Sequence, residues 1–296
     1  SDVFMGDHSA RQIDTMTLLG NNEVVLGNSF IVMSREEPRQ ESSPEITRYV
    51  RLLSTKAPLF EKVSENTVLV RIPAFDHAFK KDIDAVIAKH LDTILKTENL
   101  IIDIRGNGGG SDVSYASLLP ILYTNPIRTV GMEYLSTELN NSRMLGFLQN
   151  PHFSEEEKQW AKDGYDILNQ HIGSYINIDE DVTVETFDKI EPLPKSIGVL
   201  VDSSNGSTAE QFLLAAKQSK KVKLFGQTTA GVLDISNMYQ TDSPSGTFTL
   251  YYSLTKSLRI PHMAIDGVGI QPDYYIDGEL PLYQWTSYTQ KILEGM

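Results

Sequence analysis

The sequence predicts an α/β protein, and three observations carry that reading. Residues 67–72, 100–104 and 197–201 are short, almost continuously apolar runs; such runs mark strands of a sheet buried on both faces. Between the first two, residues 80–95 place Ile83, Val86, Ile87, Leu91 and Ile94 at helical spacing, which predicts an amphipathic helix. The order strand, helix, strand, helix then returns after residue 196, as expected for helices layered on a largely parallel sheet.

The elements follow in chain order. Residues 11–45 are rich in turn residues, with two short strands expected near 14–19 and 23–33 and a polar loop over 34–44. A short helix over 46–53 follows Pro44. After the 100–104 strand, residues 112–122 fit a helix. Residues 131–190 carry Trp160, many charges and a helix over 154–171 that opens with Glu155, Glu156 and Glu157; this span reads as a helical insertion over the core. Strand 197–201 leads to a helix over 207–219, strands near 222–225, 229–240 and 246–256, and a closing helix over 283–293. The expected organisation is an N-terminal segment of strands and loop, 1–65, and a core, 66–296, with its insertion at about 131–190.

Composition narrows the function classes. The 296 residues hold 26 Lys+Arg against 39 Asp+Glu, a formal charge of −13. A nucleic-acid binder needs a basic face to neutralise phosphates, so nucleic acid is not an expected partner. Absence of cysteine removes disulfides, thiol nucleophiles and cysteine-ligated metals. No apolar run approaches the ~20 residues that cross a bilayer. The chain opens Ser1-Asp2-Val3-Phe4, with neither a basic cluster nor an apolar leader. The composition assigns no compartment; a periplasmic or secreted protein with its targeting segment removed is one expectation.

Two turns carry the chemistry. In the first, Gly106-Asn107-Gly108-Gly109-Gly110-Ser111 joins a buried strand to a helix. Neither Gly-Lys-Ser/Thr nor the third glycine of a dinucleotide fingerprint is present. The turn reads either as a tight capped connection or as a backbone N–H cradle of the oxyanion-hole kind. In the second, strand 197–201 ends at Asp202-Ser203-Ser204-Asn205-Gly206-Ser207-Thr208-Ala209-Glu210. Ser207 and Glu210 have the spacing of a helix capping box. Equally, Ser207 could be a nucleophile at a helix N-terminus, where developing negative charge is favoured. Both turns lie at carboxyl ends of strands, where α/β layers bind ligands. A serine nucleophile needs a base, and His8 beside Asp7 and His262 four residues before Asp266 are the histidines with nearby acids. Lys217, Lys220 and Lys221 lie too far along the helix, and Lys256 and Arg259 read as a solvated face.

In combination these residues resemble a known family, the serine peptidases that include C-terminal processing peptidases and the tricorn core protease. Asp103-Ile104-Arg105-Gly106-Asn107-Gly108-Gly109 is similar to its strand-and-turn motif, and Ser207-Thr208-Ala209-Glu210 to the motif carrying its nucleophile. Gly226-Gln227-Thr228-Thr229-Ala230-Gly231 and Gly267-Val268-Gly269-Ile270-Gln271-Pro272-Asp273 resemble the two motifs that follow, in the same order. The resemblance implies the ClpP/crotonase-like spiral of ββα units and a serine-type peptidase acting on a peptide or protein, without metal or organic cofactor. Val232 stands where one branch of the family has a lysine base, so the resemblance points to the tricorn-like branch with a histidine. Met5-Gly6-Asp7-His8-Ser9 resembles that branch's motif, implying Ser207 as nucleophile, His8 as base and Asp266 as acid. The oxyanion hole is implied at Gly108, Gly109 and Thr208. Residues 9–65 are too few for the PDZ domain that many members carry. The rival readings are a catalytically inactive peptide- or ligand-binding protein on the same fold and a crotonase-type acyl-CoA enzyme. Nothing in the sequence speaks to the oligomeric state.

Overall fold

In the computed structural model, the backbone of residues 16–19, 23–26 and 29–32 and the whole of residues 43–295 except 152 are described. The chain forms two compact units, 1–47 and 48–296. The first contains an antiparallel meander of β1 (Met16–Leu19), β2 (Glu23–Leu26) and β3 (Ser29–Val32). One strand was expected over 23–33; instead Leu26 pairs with Ser29, and that segment doubles back into two.

From residue 44 the order is α1 (Pro44–Ser54), β4 (Leu59–Lys62), β5 (Thr67–Arg71), α2 (Lys80–Ile94), β6 (Asn99–Asp103), α3 (Leu119–Leu122), β7 (Ile127–Val130), β8 (Met132–Leu135), α4 (Glu138–Leu148), α5 (Glu155–Asn169), β9 (Tyr175–Ile176), β10 (Val182–Glu185), β11 (Ser196–Val201), α6 (Thr208–Ala216), β12 (Val222–Gly226), β13 (Ile235–Asp242), β14 (Thr249–Ser257), β15 (Tyr274–Tyr275) and α7 (Trp285–Gly295). The mixed α/β class read from the sequence is the one observed.

Six strands form the main sheet in the order β15-β12-β11-β6-β5-β4, parallel except at β4. Alternate side chains leave it on opposite faces. Val68, Val70, Leu100, Ile102, Ile197 and Val199 pack on one side with Ile83 and Ile87 of α2 and Phe212 and Leu213 of α6. Leu69, Ile101, Leu200 and Phe225 pack on the other with Trp285 and Leu293 of α7. Burial on both faces explains why these strands lack a polar alternation. Register aligns the carboxyl ends: Arg71 pairs with Asp103, Asp103 with Leu200, and Val201 with Gly226. The turns after β6, β11 and β12 therefore leave the sheet side by side.

Three elements differ from the sequence reading. Over 112–122 the chain forms a 3₁₀ segment, Asp112–Leu118, before the single turn of α3; Pro120 has no N–H to extend an α-helical ladder. Residues 131–190 are not wholly helical. The pair α4 and α5 packs through Met144, Ala161 and Leu168, but β8 and β9 join β14 and β13 in a four-stranded sheet, and β7 pairs with β10. The strand expected from 229 begins at Ile235, because the amides of residues 230–235 are taken by groups outside any ladder, as the site makes clear.

Candidate active site

The glycine turn after β6 is anchored by a buried ion cluster. Asp103, with no exposed surface, receives Arg105 as a fork, Nε to Oδ1 at 2.9 Å and Nη2 to Oδ2 at 2.7 Å. Arg105 also donates to the Leu282 carbonyl at 2.9 Å, and its guanidinium lies over the rings of Tyr49 and Trp285. Arg71 donates to the carbonyls of Leu52 and Asp103. Burial would raise the Asp103 pKa, but the Arg105 charge and hydrogen bonds and the Arg71 charge outweigh it and hold the carboxyl below its ordinary range. Beyond this cluster, Asn107 donates to the Ile72 carbonyl and accepts from Gly109 N–H at 2.9 Å.

Asn205 joins this turn to the next one. Fully buried, it donates through Nδ2 to the carbonyls of Ile104 (2.6 Å) and Asn107 (3.0 Å) and accepts from Asp202 N–H. Ser207 follows with φ +53 and ψ −127, a backbone that L-residues adopt only under constraint. Its side chain makes no cap hydrogen bond, so the capping-box reading of Ser207 and Glu210 fails. Such strain between a strand and a helix is how a nucleophile is presented at the top of an α/β sheet. The glycine turn lies against it. A Cβ on Gly109 (φ +112) would lie 2.8 Å from Gly206 O, 2.9 Å from Ser207 Cβ and 3.0 Å from Thr208 N.

Glu210, fully buried, points instead into the third motif. It accepts the Thr229 hydroxyl and the amides of Gly231 (2.8 Å) and Val232 (2.9 Å). Thr229 Oγ1 accepts the Ile270 amide of the fourth motif at 2.7 Å. Asp266 accepts three more amides, Leu233 (2.6 Å), Asp234 (2.7 Å) and Ile235 (3.0 Å), while Asn205 O takes that of Ala230. These acceptors take the amides that a strand over 229–234 would need. The four motifs thus meet as one hydrogen-bonded assembly at one end of the sheet.

A cavity of about 900 Å³ opens on this assembly, lined by Ser207, Thr208, Asp266, Asp112, Val232 and Arg259 among others. Arg259 is not on a solvated face: it is buried, with Nε on Asp234 Oδ1 at 2.7 Å and Nη1 toward Gln211. Lys256 is nearer the expectation, half-buried between Glu133 and the Tyr175 ring. Burial pushes the Asp112 carboxyl up, opposed by the Thr208 hydroxyl and the Arg259 charge. Asn205, Gln211 and Asp112 were not singled out by the sequence; Asn205, two residues before a serine in a strand-to-helix turn, had the one usable signal, an Asn able to bond its own turn.

Of the residues implied for the site, Ser207, Thr208 and Asp266 share this cavity. Thr208 N–H and Gly108 N–H have no hydrogen-bond partner among the described residues. The Gly109 N–H is already given to Asn107, so Gly109 contributes its missing side chain and not a donor. Among the described residues no histidine or lysine lines the cavity. His262 is exposed, and Asp266 bonds backbone amides instead of it. His90 stacks on Phe60 and His171 sits against the Ile167 carbonyl. His8 lies outside the described residues, as does His152.

Residues 66–276 match the model of peptidase family S41. This chain belongs to peptidase family S41. The matched span contains all four motifs, so the resemblance they carry holds. An uncharacterized protein of Chlamydia muridarum is 25% identical over 268 residues, covering 77% of this chain and 44% of that relative. The chain thus spans under half the length of that curated relative. Among solved structures, mature CPAF complexed with lactacystin aligns with TM-score 0.55 at 19% identity, over 77% of this chain and 51% of that one. A crystal structure from Parabacteroides merdae aligns with TM-score 0.52 at 16% identity, over 81% and 65%. At these identities the structures speak to the fold alone.

Proposed function

We propose that this chain is a serine peptidase that hydrolyses peptide bonds, with Ser207 as nucleophile. The observation that carries the reading is Ser207 itself: a strained, uncapped serine at the start of α6, pressed against a glycine turn and open to a large cavity. Ser207 Oγ attacks the peptide carbonyl. His8, the base implied by the family resemblance, takes the hydroxyl proton and returns it to the leaving amine. The resulting acyl-enzyme is then hydrolysed by water. Thr208 N–H and Gly108 N–H hold the tetrahedral oxyanion, a contribution whose loss costs ~10²–10³ in turnover. Asp266, held by three backbone amides, orients the histidine. The substrate is a peptide or protein, and no helix among the described residues is long and apolar enough to cross a membrane. We also propose the division into an N-terminal segment that supplies the base, 1–65, and a catalytic core, 66–296.

A second reading, a binding protein without catalysis, is favoured by one observation: the cavity has no histidine or lysine among its described lining residues. A fluorophosphonate probe separates the two. The peptidase labels stoichiometrically, and Ser207→Ala abolishes the label. A wild-type protein that fails to label is a binding protein on an S41 fold.

A further inference from the structure

Two residues other than glycine have a left-handed φ among the described residues, Ser207 at +53 and Asn237 at +54. Both line the same cavity. Ser207 has a reason in the proposed chemistry; Asn237 has none there. It sits inside β13, and pairing with β14 passes over it, from Ser236↔Thr255 to Met238↔Ser253. Its side chain fastens the kink, donating to Thr255 Oγ1 at 3.0 Å and toward Met132 Sδ at 3.2 Å.

β13 is one of the two edge strands of its sheet among the described residues, and its first part, Ile235 to Met238, lines the cavity. The Ser257 amide donates to the Asp234 carbonyl at 2.7 Å. Hydrogen-bonded and non-bonded pairs alternate in an antiparallel ladder, so residues 235 and 237 turn their backbone groups away from β14. The Ile235 amide is taken by Asp266 at 3.0 Å. Its carbonyl is left as an outward acceptor on the cavity side. The left-handed backbone at Asn237 interrupts the pairing with β14, which resumes in the same register at Met238. The usable edge is therefore short, bounded by the Asp266 brace on one side and by Asn237 on the other. The side chains flanking it, Ile235 and Met238, are apolar and exposed.

We infer that Asn237 is a positioning residue: an extended peptide substrate adds to the β13 edge, donates a backbone N–H to the Ile235 carbonyl, and is stopped in register by the Asn237 kink so that one bond meets Ser207. The inference rests on the peptidase reading and adds to it a recognition mode, backbone pairing at a sheet edge with specificity left to alternate side chains. An unguarded edge would allow slippage in steps of two residues; a kink that interrupts the ladder prevents it.

The test uses the full chain and a mixture of synthetic decapeptides, with cleaved bonds mapped by mass spectrometry. The best-cleaved peptide is then N-methylated at each amide in turn. Expected is one sensitive amide, the one that donates to the Ile235 carbonyl, whose methylation lowers kcat/KM by about tenfold, the order of one lost hydrogen bond, with its neighbours tolerant. In Asn237→Val, which disfavours a left-handed backbone, cleavage spreads to bonds two residues from the original and KM rises. Asn237→Gly, which accepts that backbone, restores the original map. Cleavage with a flat response to N-methylation overturns the inference and leaves the peptidase reading standing, as does an unchanged map in a folded Asn237→Val. Failure of the wild-type chain both to cleave any peptide and to take a fluorophosphonate overturns both.

Discussion

At Ser207, function and local stability oppose each other. A serine held at φ +53 stores strain of the order of 1–3 kcal/mol. Ser207→Gly relaxes that strain, against the extra unfolded-state entropy of glycine. It should raise stability by roughly 1 kcal/mol while abolishing fluorophosphonate labelling, with the urea midpoint as the measure. Ser207→Ala removes the nucleophile without removing the strain. Because the serine caps nothing, the urea midpoint of Ser207→Ala should match that of wild type. A loss the size of a missing helix cap, ~1 kcal/mol, would show that the hydroxyl bonds the helix after all. The same Ser-x-x-Glu spacing occurs at Ser154 and Glu157, where both reciprocal bonds of a capping box are present. Identical local spelling therefore has two outcomes in one chain.

At the scale of elements, buried carboxylates decide how the loops lie. Glu210 organises Thr229, Gly231 and Val232. Glu210→Gln keeps the shape but sets an NH₂ against these donors. An unpaired buried polar group costs ~1–3 kcal/mol, so the variant should lose about that in stability and label more slowly with fluorophosphonate. Asp103 makes a prediction in pH. Its folded pKa lies below the ordinary value because Arg105 and Arg71 outweigh its burial. A carboxyl depressed on folding adds stability that is complete above its unfolded pKa of ~3.9 and is lost as pH falls through that value toward the folded one. Arg105→Lys loses the bidentate fork, and Asp103 then contributes less. The drop in urea midpoint between neutral pH and about pH 3 should be smaller in Arg105→Lys than in wild type; equal drops would remove Asp103 from acid unfolding.

For the whole molecule, the decisive question is whether the base comes from the first unit. Residues 48–296 are compact on their own, so deleting residues 1–10 should leave their thermal transition in place. If His8 is the base, the deletion and His8→Ala each lower turnover by several orders of magnitude, as loss of a triad member does, and His262→Ala changes it little. Normal turnover in the deletion, or a dead His262→Ala, reassigns the base. The sheet that carries the site was legible as a sheet, because buried parallel strands such as 100–104 and 197–201 announce themselves by continuous apolar runs. The strand expected from 229 was not, since Glu210, Asn205 and Asp266, distant in sequence, claim the amides of residues 230–235.

By itself the sequence determined the α/β class, the position of both turns and, through four ordered motifs, the family. These depend on local periodicity and on residue types confined to short windows. Tertiary structure alone decided what the polar residues do: that Glu210 braces a loop and caps no helix, that the Gly109 amide is given to Asn107, that Arg259 is buried against Asp234, and that Asn237 is kinked inside an edge strand. A buried hydrogen-bonding group takes whichever partner the fold brings within reach, and that partner here is often tens of residues away along the chain.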